Sequence, residues 1–377
     1  MFSVKVLSIT FLSSVIICIA SFVGVVVYLD PYHIYYLPKS DHILFDGNAR
    51  VQDASYIRFY DFDSFILGNS YMENTKASEA EEKLGGKFFN LSLSGSDDYE
   101  RSIVLHDVFR RHNIKSAVLL LTDSLSTSGH GTYPVSEWEF LYDKNPLNDI
   151  KLYLNDRMIN YFEGCLFNGE CRWGGEKNMD RPCEWIIYAD HASRFGDIAN
   201  WGKYHQNNQL NWLVHHQLPD NLKISAGKYT QPSIETQNKI DAYLNDYVFS
   251  FVTEHPETTF YCYYCPASML LRAFQSRDDS LSLFSMWLNR TVELGKKYPN
   301  FKLFGFDNLS FTSDMARYKD LTHFDDKVNS LILTKLQKNE DRLTEDNIDN
   351  YLKTLRSNAE NFDISRINEI IQNAIPK

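Results

Sequence analysis

Residues 64–93 read SFILGNSYMENTKASEAEEKLGGKFFNLSL, and their order decides the fold class. Ser64–Leu67 is a short apolar run without alternation, the pattern of a strand covered on both faces. Gly68-Asn69-Ser70 breaks it, a helical stretch follows over residues 72–84, and Lys87–Leu93 is a second strand. A strand, a helix and a strand in succession make a βαβ unit with two parallel strands.

Outward from this unit the rhythm continues. Residues 97–111 (DDYERSIVLHDVFRR) form a helix with Ile103, Val104, Val108 and Phe109 on one face, capped by Ser96 or Asp97. Ser116–Leu121 (SAVLLL) is the third strand. After Asp123 the rhythm stops for about 110 residues, too long for a plain loop in a compact domain. Residues 124–232 therefore read as an inserted cap. It holds Trp138, Trp173, Trp185, Trp201 and Trp212, read either as the core of the cap or as a wall on which sugar rings stack. The rhythm returns with a helix at 233–254, strand Thr259–Tyr264, a helix at 280–297, strand Phe301–Phe306 and a helix beginning near Asp325. Residues 341–377 are polar, helical and peripheral. The expected fold is α/β, a parallel five-stranded sheet with helices on both faces, built from 63–123 and 233–340.

Upstream, residues 30–62 are a lead rich in Tyr and Asp, and Val6–Leu29 carries no charge. As a helix that run is about 36 Å long, enough for a hydrocarbon core of about 30 Å. It is too long for the apolar part of a cleaved signal peptide, and no Ala-x-Ala site follows. Cys18 lacks the small neighbour of a lipidation site. With Lys5 before the run and Asp30 after it, the positive-inside rule puts the tail in the cytoplasm and the body outside. The reading is a single-pass protein of a bacterial inner or cytoplasmic membrane, anchored in the bilayer through residues 6–29.

The 377 residues exceed one domain of about 150. Lys+Arg 38 against Asp+Glu 49 gives a net charge of −11, which disfavours a nucleic-acid partner because a phosphate backbone wants a basic face. In an oxidising compartment Cys165, Cys171 and Cys183 would staple one excursion, with the pairing left open. Cys262 and Cys265 form C-x-x-C, but they end a strand instead of opening a helix, where thiol activation would need them. No histidine completes a zinc spacing with these cysteines, and His130, His191, His205, His215 and His216 show no metal spacing, so no metal or cofactor is assigned.

In parallel sheets ligands sit beyond the carboxyl ends of the strands. Ser70 stands there after strand one, where the first N–H groups of the following helix would favour an oxyanion. Its hydroxyl needs a base to become a nucleophile, and His323 in Asp320-Leu321-Thr322-His323 is the one proposed, oriented by Asp320. Gly95, after strand two, can turn its backbone N–H toward a reacting carbonyl. Thr122 and Asp123 after strand three and Ser268 after strand four are read either as residues that line the site and bind substrate or as plain strand-end turns.

This arrangement resembles the SGNH (GDSL-like) hydrolase superfamily over residues 64–123 and 258–337. The resemblance implies a three-layer α/β/α, flavodoxin-like fold. It makes Ser70 the nucleophile, Asp320 and His323 the other triad members, and the Ser70 and Gly95 amides the oxyanion hole. The first block reads GNS in place of GDS, and Leu121-Thr122-Asp123-Ser124 replaces Gly-x-Asn-Asp, so the third donor is either missing or replaced by Asn69 or Thr122. The single anchor makes the chain similar to the alginate O-acetylation proteins and the D-alanyl-lipoteichoic-acid transfer protein. That implies an O-acyltransferase or esterase on an envelope polysaccharide, beside a membrane-bound O-acyltransferase. The alternatives are a non-catalytic glycan-binding or scaffold protein, and a lipase or thioesterase.

Overall fold

Five strands pair in parallel: β1 (Ser64–Leu67), β2 (Phe88–Asn90), β3 (Ser116–Leu121), β4 (Thr259–Tyr264) and β5 (Phe301–Phe304). A sixth, β6 (Arg342–Leu343), joins antiparallel to β5, giving the order β2-β1-β3-β4-β5-β6 in this computed structural model. The structure describes residues 4–37, 48–125, 133–169, 178–202, 227 and 230–374. The expected count of five strands is corrected to six. Leu343 lies opposite Leu303 and Arg342 opposite Phe304, and two residues at a sheet edge leave no apolar run to read. The tail is likewise not all peripheral: the Tyr351 hydroxyl donates to Asp307 Oδ2 at 2.9 Å and accepts from Asp307 N at 2.9 Å.

The helices are α1 (Val4–Leu29), α2 (Ala49–Phe59), α3 (Ala77–Leu84), α4 (Asp98–Arg111), α5 (Asp156–Glu163), α6 (Ala189–Ala192), α7 (Ile234–Leu244), α8 (Ser250–Glu254), α9 (Met269–Gln275), α10 (Ser280–Gly295), α11 (Asp326–Lys338), α12 (Ile348–Glu360) and α13 (Ile364–Ala374). A π-helical turn, Asn245–Phe249, joins α7 to α8.

The chain divides into two units. The larger comprises 61–102, 112–130 and 178–377 and contains the whole sheet. β1 and β3 are buried at every residue, which is why neither alternates. Ser64 lies opposite both Phe88 and Ser116, and Leu67 opposite Leu119. Ile66, Val118, Leu120, Tyr263 and Phe304 from the strands share one buried cluster with Leu270 and Ile332. Burying each such aliphatic side chain contributes about 1.5–3 kcal/mol. Strand order reverses between β1 and β3, and in such sheets that reversal opens a crevice at the carboxyl ends.

The smaller unit comprises 1–60, 103–111 and 131–177. Its α1 is long and apolar enough to cross a membrane. The helix ends at Asp30, whose buried carboxylate accepts from Ile34 N (3.0 Å), Tyr35 N (2.8 Å), Tyr36 N (3.3 Å) and the Tyr153 hydroxyl. α2 begins at Asn48, whose side chain accepts from Arg50 N. Arg58 Nη1 bonds Ile34 O at 3.0 Å and Asp149 at 2.7 Å. Cys165 is in a disulfide. Cys171, Trp173, Trp212, His130, His205, His215 and His216 lie outside the described residues.

Candidate active site

β1 delivers the chain into Gly68-Asn69-Ser70. A Cβ on Gly68 would lie 2.4 Å from Met72 Sδ and 2.9 Å from Leu120 Cβ, so only glycine lets the chain leave the sheet this tightly. Residues 70–74 are turns, and the helix expected from residue 72 starts at Ala77, so the N-terminus of α3 does not follow Ser70 directly. Two side-chain amides explain the delay by taking the carbonyls a helix would have used. Asn90 Nδ2 donates to Met72 O (2.9 Å) and Thr75 O (2.8 Å), and Asn329 Nδ2 donates to Tyr71 O (2.9 Å) and Thr75 Oγ1 (2.8 Å). The Ser70 turn is thereby fastened both to the end of β2 and to α11.

Asp320 and His323 stand on a tight loop closed by the bridge between Tyr318 and Phe324 and by Lys319 N donating to His323 O at 3.0 Å. Asp325 then caps α11 by accepting from Val328 N. Across the gap from β1, His323 Nε2 is 2.8 Å from Ser70 Oγ. His323 Nδ1 is 2.8 Å from Asp320 Oδ2 and 3.0 Å from Oδ1. A carboxylate only accepts, so it selects the tautomer with hydrogen on Nδ1, leaving Nε2 free to receive the Ser70 proton. Asp320 also accepts from His323 N (2.7 Å) and Thr322 N (2.9 Å). Burial would raise its carboxyl, but the His323 ring and these donors override burial and hold it well below the usual carboxylate range. Ser70, His323 and Asp320 thus meet in one hydrogen-bonded chain although about 250 residues separate the first from the other two.

The loop after β2 is tied to β1 as well. Leu93 N (2.9 Å) and Ser96 Oγ (3.2 Å) both donate to Gly68 O, and Gly95 sits at its exposed tip with φ +66°. Among the described residues, no acceptor engages the N–H groups of Ser70 or Gly95, or the Asn69 side-chain amide. Asn69 Oδ1 accepts from Tyr71 N at 3.2 Å, and its NH2 is uncommitted. Uncommitted N–H donors are the groups an oxyanion requires, and those of Asn69 and Ser70 sit on the turn that carries Ser70 Oγ.

Thr122 does not fit the donor role. Its N–H goes to Asp98 Oδ2 at 3.0 Å and its hydroxyl takes a bond from Arg101. Asp123 is exposed at the end of β3 and makes no hydrogen bond to Ser70, His323 or Asp320. Ser268 is fully buried and caps α9, accepting from Leu271 N, while its own N–H donates to Leu321 O at 3.0 Å. Through that bond it holds the Asp320–His323 loop. Cys262 is buried within β4 and Cys265 follows it. Both are reduced, and burial pushes both thiols well up from their ordinary value.

No protein-family model matches the chain, and no curated protein matches it.

Some residues stand beside Ser70 and His323 where the sequence reading did not put them. Trp185 Nε1 donates to Ser70 O at 2.7 Å, and its ring meets His323 edge-on with centroids 5.7 Å apart. Asn74 Oδ1 holds that segment by accepting from Trp185 N and Ile186 N, each at 3.1 Å. Trp138, Trp185 and Trp201 are all buried, so none of them offers an open face for stacking. The Tyr71 ring lies 4.7 Å from that of His323. Lys319 Nζ is 3.6 Å from the centre of a Trp185 ring and 3.0 Å from His191 Nδ1. No motif advertises these residues; proximity of Lys319 to the Asp-x-x-His block is the only signal.

Burial pulls the Lys319 ammonium down to about 8, with Asp320, Glu73 and Asp190 opposing the fall and Arg194 adding to it. A depressed amine favours its neutral form in the fold, so the unfolded chain holds the extra proton above pH 8 and stability rises with pH there. From pH 8 to 10 the wild-type protein should therefore gain on the order of 2 kcal/mol relative to Lys319→Met. Urea midpoints of both proteins at the two pH values measure this, and parallel curves would remove the buried ammonium.

Proposed function

We propose that the chain is a membrane-anchored, extracytoplasmic serine acyl-transfer enzyme of the SGNH type, with the three-layer architecture of that superfamily. It moves or removes an ester-linked acyl group on a cell-envelope polysaccharide. The observation that carries this reading is the unbroken hydrogen-bonded chain Ser70–His323–Asp320 at the carboxyl edge of the sheet.

In the mechanism, Ser70 Oγ attacks the acyl carbonyl while His323 Nε2 takes the hydroxyl proton. The tetrahedral oxyanion is received by the Ser70 and Gly95 amides, with the Asn69 NH2 as third donor in place of Thr122. Collapse breaks the bond to the leaving group, which departs with the proton from His323 and leaves acyl-Ser70. A sugar hydroxyl, or water in the esterase case, then attacks with His323 again as base, and the proton returns to Ser70. Asp320 stays ionised throughout and stabilises the imidazolium. The charge order around α1 supports an extracytoplasmic body. The proposed setting is a bacterial inner or cytoplasmic membrane, beside a membrane-bound O-acyltransferase that supplies acyl groups.

The test uses the full chain in lipid nanodiscs, treated with a fluorophosphonate and digested for peptide mass spectrometry. One adduct per chain, on Ser70, is expected. A folded protein without an adduct would overturn the activated serine and favour a glycan-binding scaffold. Adding an acetyl ester with and without an oligosaccharide acceptor then separates transfer from hydrolysis, and turnover confined to lipid esters would favour the lipase reading.

A further inference from the structure

We propose that residues 154–168 form a second membrane contact, lying at headgroup level against the bilayer that α1 crosses. This inference rests on α1 as a span and is independent of the chemistry at Ser70. All residues concerned belong to the smaller unit.

The depth of this segment follows from where it touches α1. Phe22 and Phe162 meet edge to face with ring centroids 6.3 Å apart. Phe22 lies seven residues before the end of α1, or about 10 Å along a helix. The apolar run of about 36 Å exceeds a core of about 30 Å by only about 6 Å. Even if that whole surplus projected on the side of the body, Phe22 would remain about 4 Å inside the hydrocarbon. Whatever touches Phe22 therefore reaches the boundary of headgroups and acyl chains. Tyr153 stacks on Phe162 (6.3 Å) and bonds Asp30, so the contact is fixed at the end of α1.

The outer surface of the segment has the composition that this depth requires. Met158, Tyr161 and Phe162 are buried, whereas Leu154 (59%), Ile159 (53%), Leu166 (54%) and Phe167 (80%) are exposed. Asn155, Asp156, Asn160 and Glu163 are exposed between them. Apolar side chains interleaved with polar ones suit a segment sunk about 5–10 Å into the interface, where acyl chains and headgroups are both within reach. The occupant is lipid because the patch continues the lipid-facing surface of α1 itself, of which Ile16, Ile17 and Ile19 are equally bare.

A photoreactive benzophenone amino acid is placed singly at Ile159, Phe167 or Phe11 in α1, in the full chain reconstituted in phosphatidylglycerol and phosphatidylethanolamine nanodiscs. All three side chains are exposed, so the probes leave the packing intact. Irradiation should give lipid adducts at all three positions. Lipid adducts at Phe11 with none at Ile159 and Phe167 overturn the proposal, as do protein–protein adducts at Phe167. Failure at Phe11 overturns the span, and the second contact with it.

Discussion

Turnover of an activated acyl ester should fall by about 10⁴-fold or more in Ser70→Ala, with binding of the ester little changed. In the proposed mechanism the hydroxyl forms the covalent intermediate, and its 2.8 Å bond to His323 Nε2 is lost with it. The alanine side chain fits the half-buried site, so circular dichroism and thermal midpoint should match the wild type. What remains after the substitution is catalysis by the oxyanion donors alone, about 10³-fold over water in serine enzymes of known mechanism. A variant that retained more than a tenth of the wild-type rate would place the nucleophile elsewhere and end the acyl-serine mechanism.

The second large effect belongs to Asp320. In Asp320→Asn the amide can still accept one hydrogen bond, so the loop around His323 N and Thr322 N keeps an acceptor. It no longer requires hydrogen at Nδ1, and it carries no charge to steady the imidazolium. The expected loss is about 10⁴-fold in turnover, with fluorophosphonate labelling slowed in parallel. The two variants separate by their acid behaviour. The depressed carboxyl of Asp320 contributes stability that is complete above the unfolded value of about 3.9 and is lost as pH falls toward the folded one. Asp320→Asn should lack that contribution at neutral pH, while Ser70→Ala retains it. Equal labelling rates for wild type and Asp320→Asn at pH 7 would show that the carboxylate does not orient the base.

How legible the molecule was in its sequence differs from element to element for physical reasons. β1, β3 and β4 occur at the residues expected, because each is an apolar run buried on most or all of its length and bounded by polar residues. α2 was invisible for the opposite reason: Arg50, Gln52, Asp53 and Ser55 are buried in it, so its sequence reads as polar on all sides. The late start of α3 depends on Asn90 and Asn329, and no local pattern encodes carbonyls satisfied by amides from elsewhere in the chain. Ser70 could be singled out because it follows the end of β1, and Asp320 and His323 because of their Asp-x-x-His spacing late in the chain. Trp185 could not, since it reaches Ser70 from 115 residues away through a stretch with no period.

Asp30 has a mechanical consequence. A helix that ends on a buried carboxylate, with Val26 buried and Phe22 against Phe162, cannot swivel freely within the smaller unit. The helix is keyed to that unit, as a shaft is keyed to a wheel. If α1 crosses a bilayer as proposed, a neighbouring membrane protein would meet the side turned away from Val26. Inserting one residue ahead of Asp30 would turn the exposed face of α1 by about 100° relative to the rest of the smaller unit while leaving the helix equally hydrophobic.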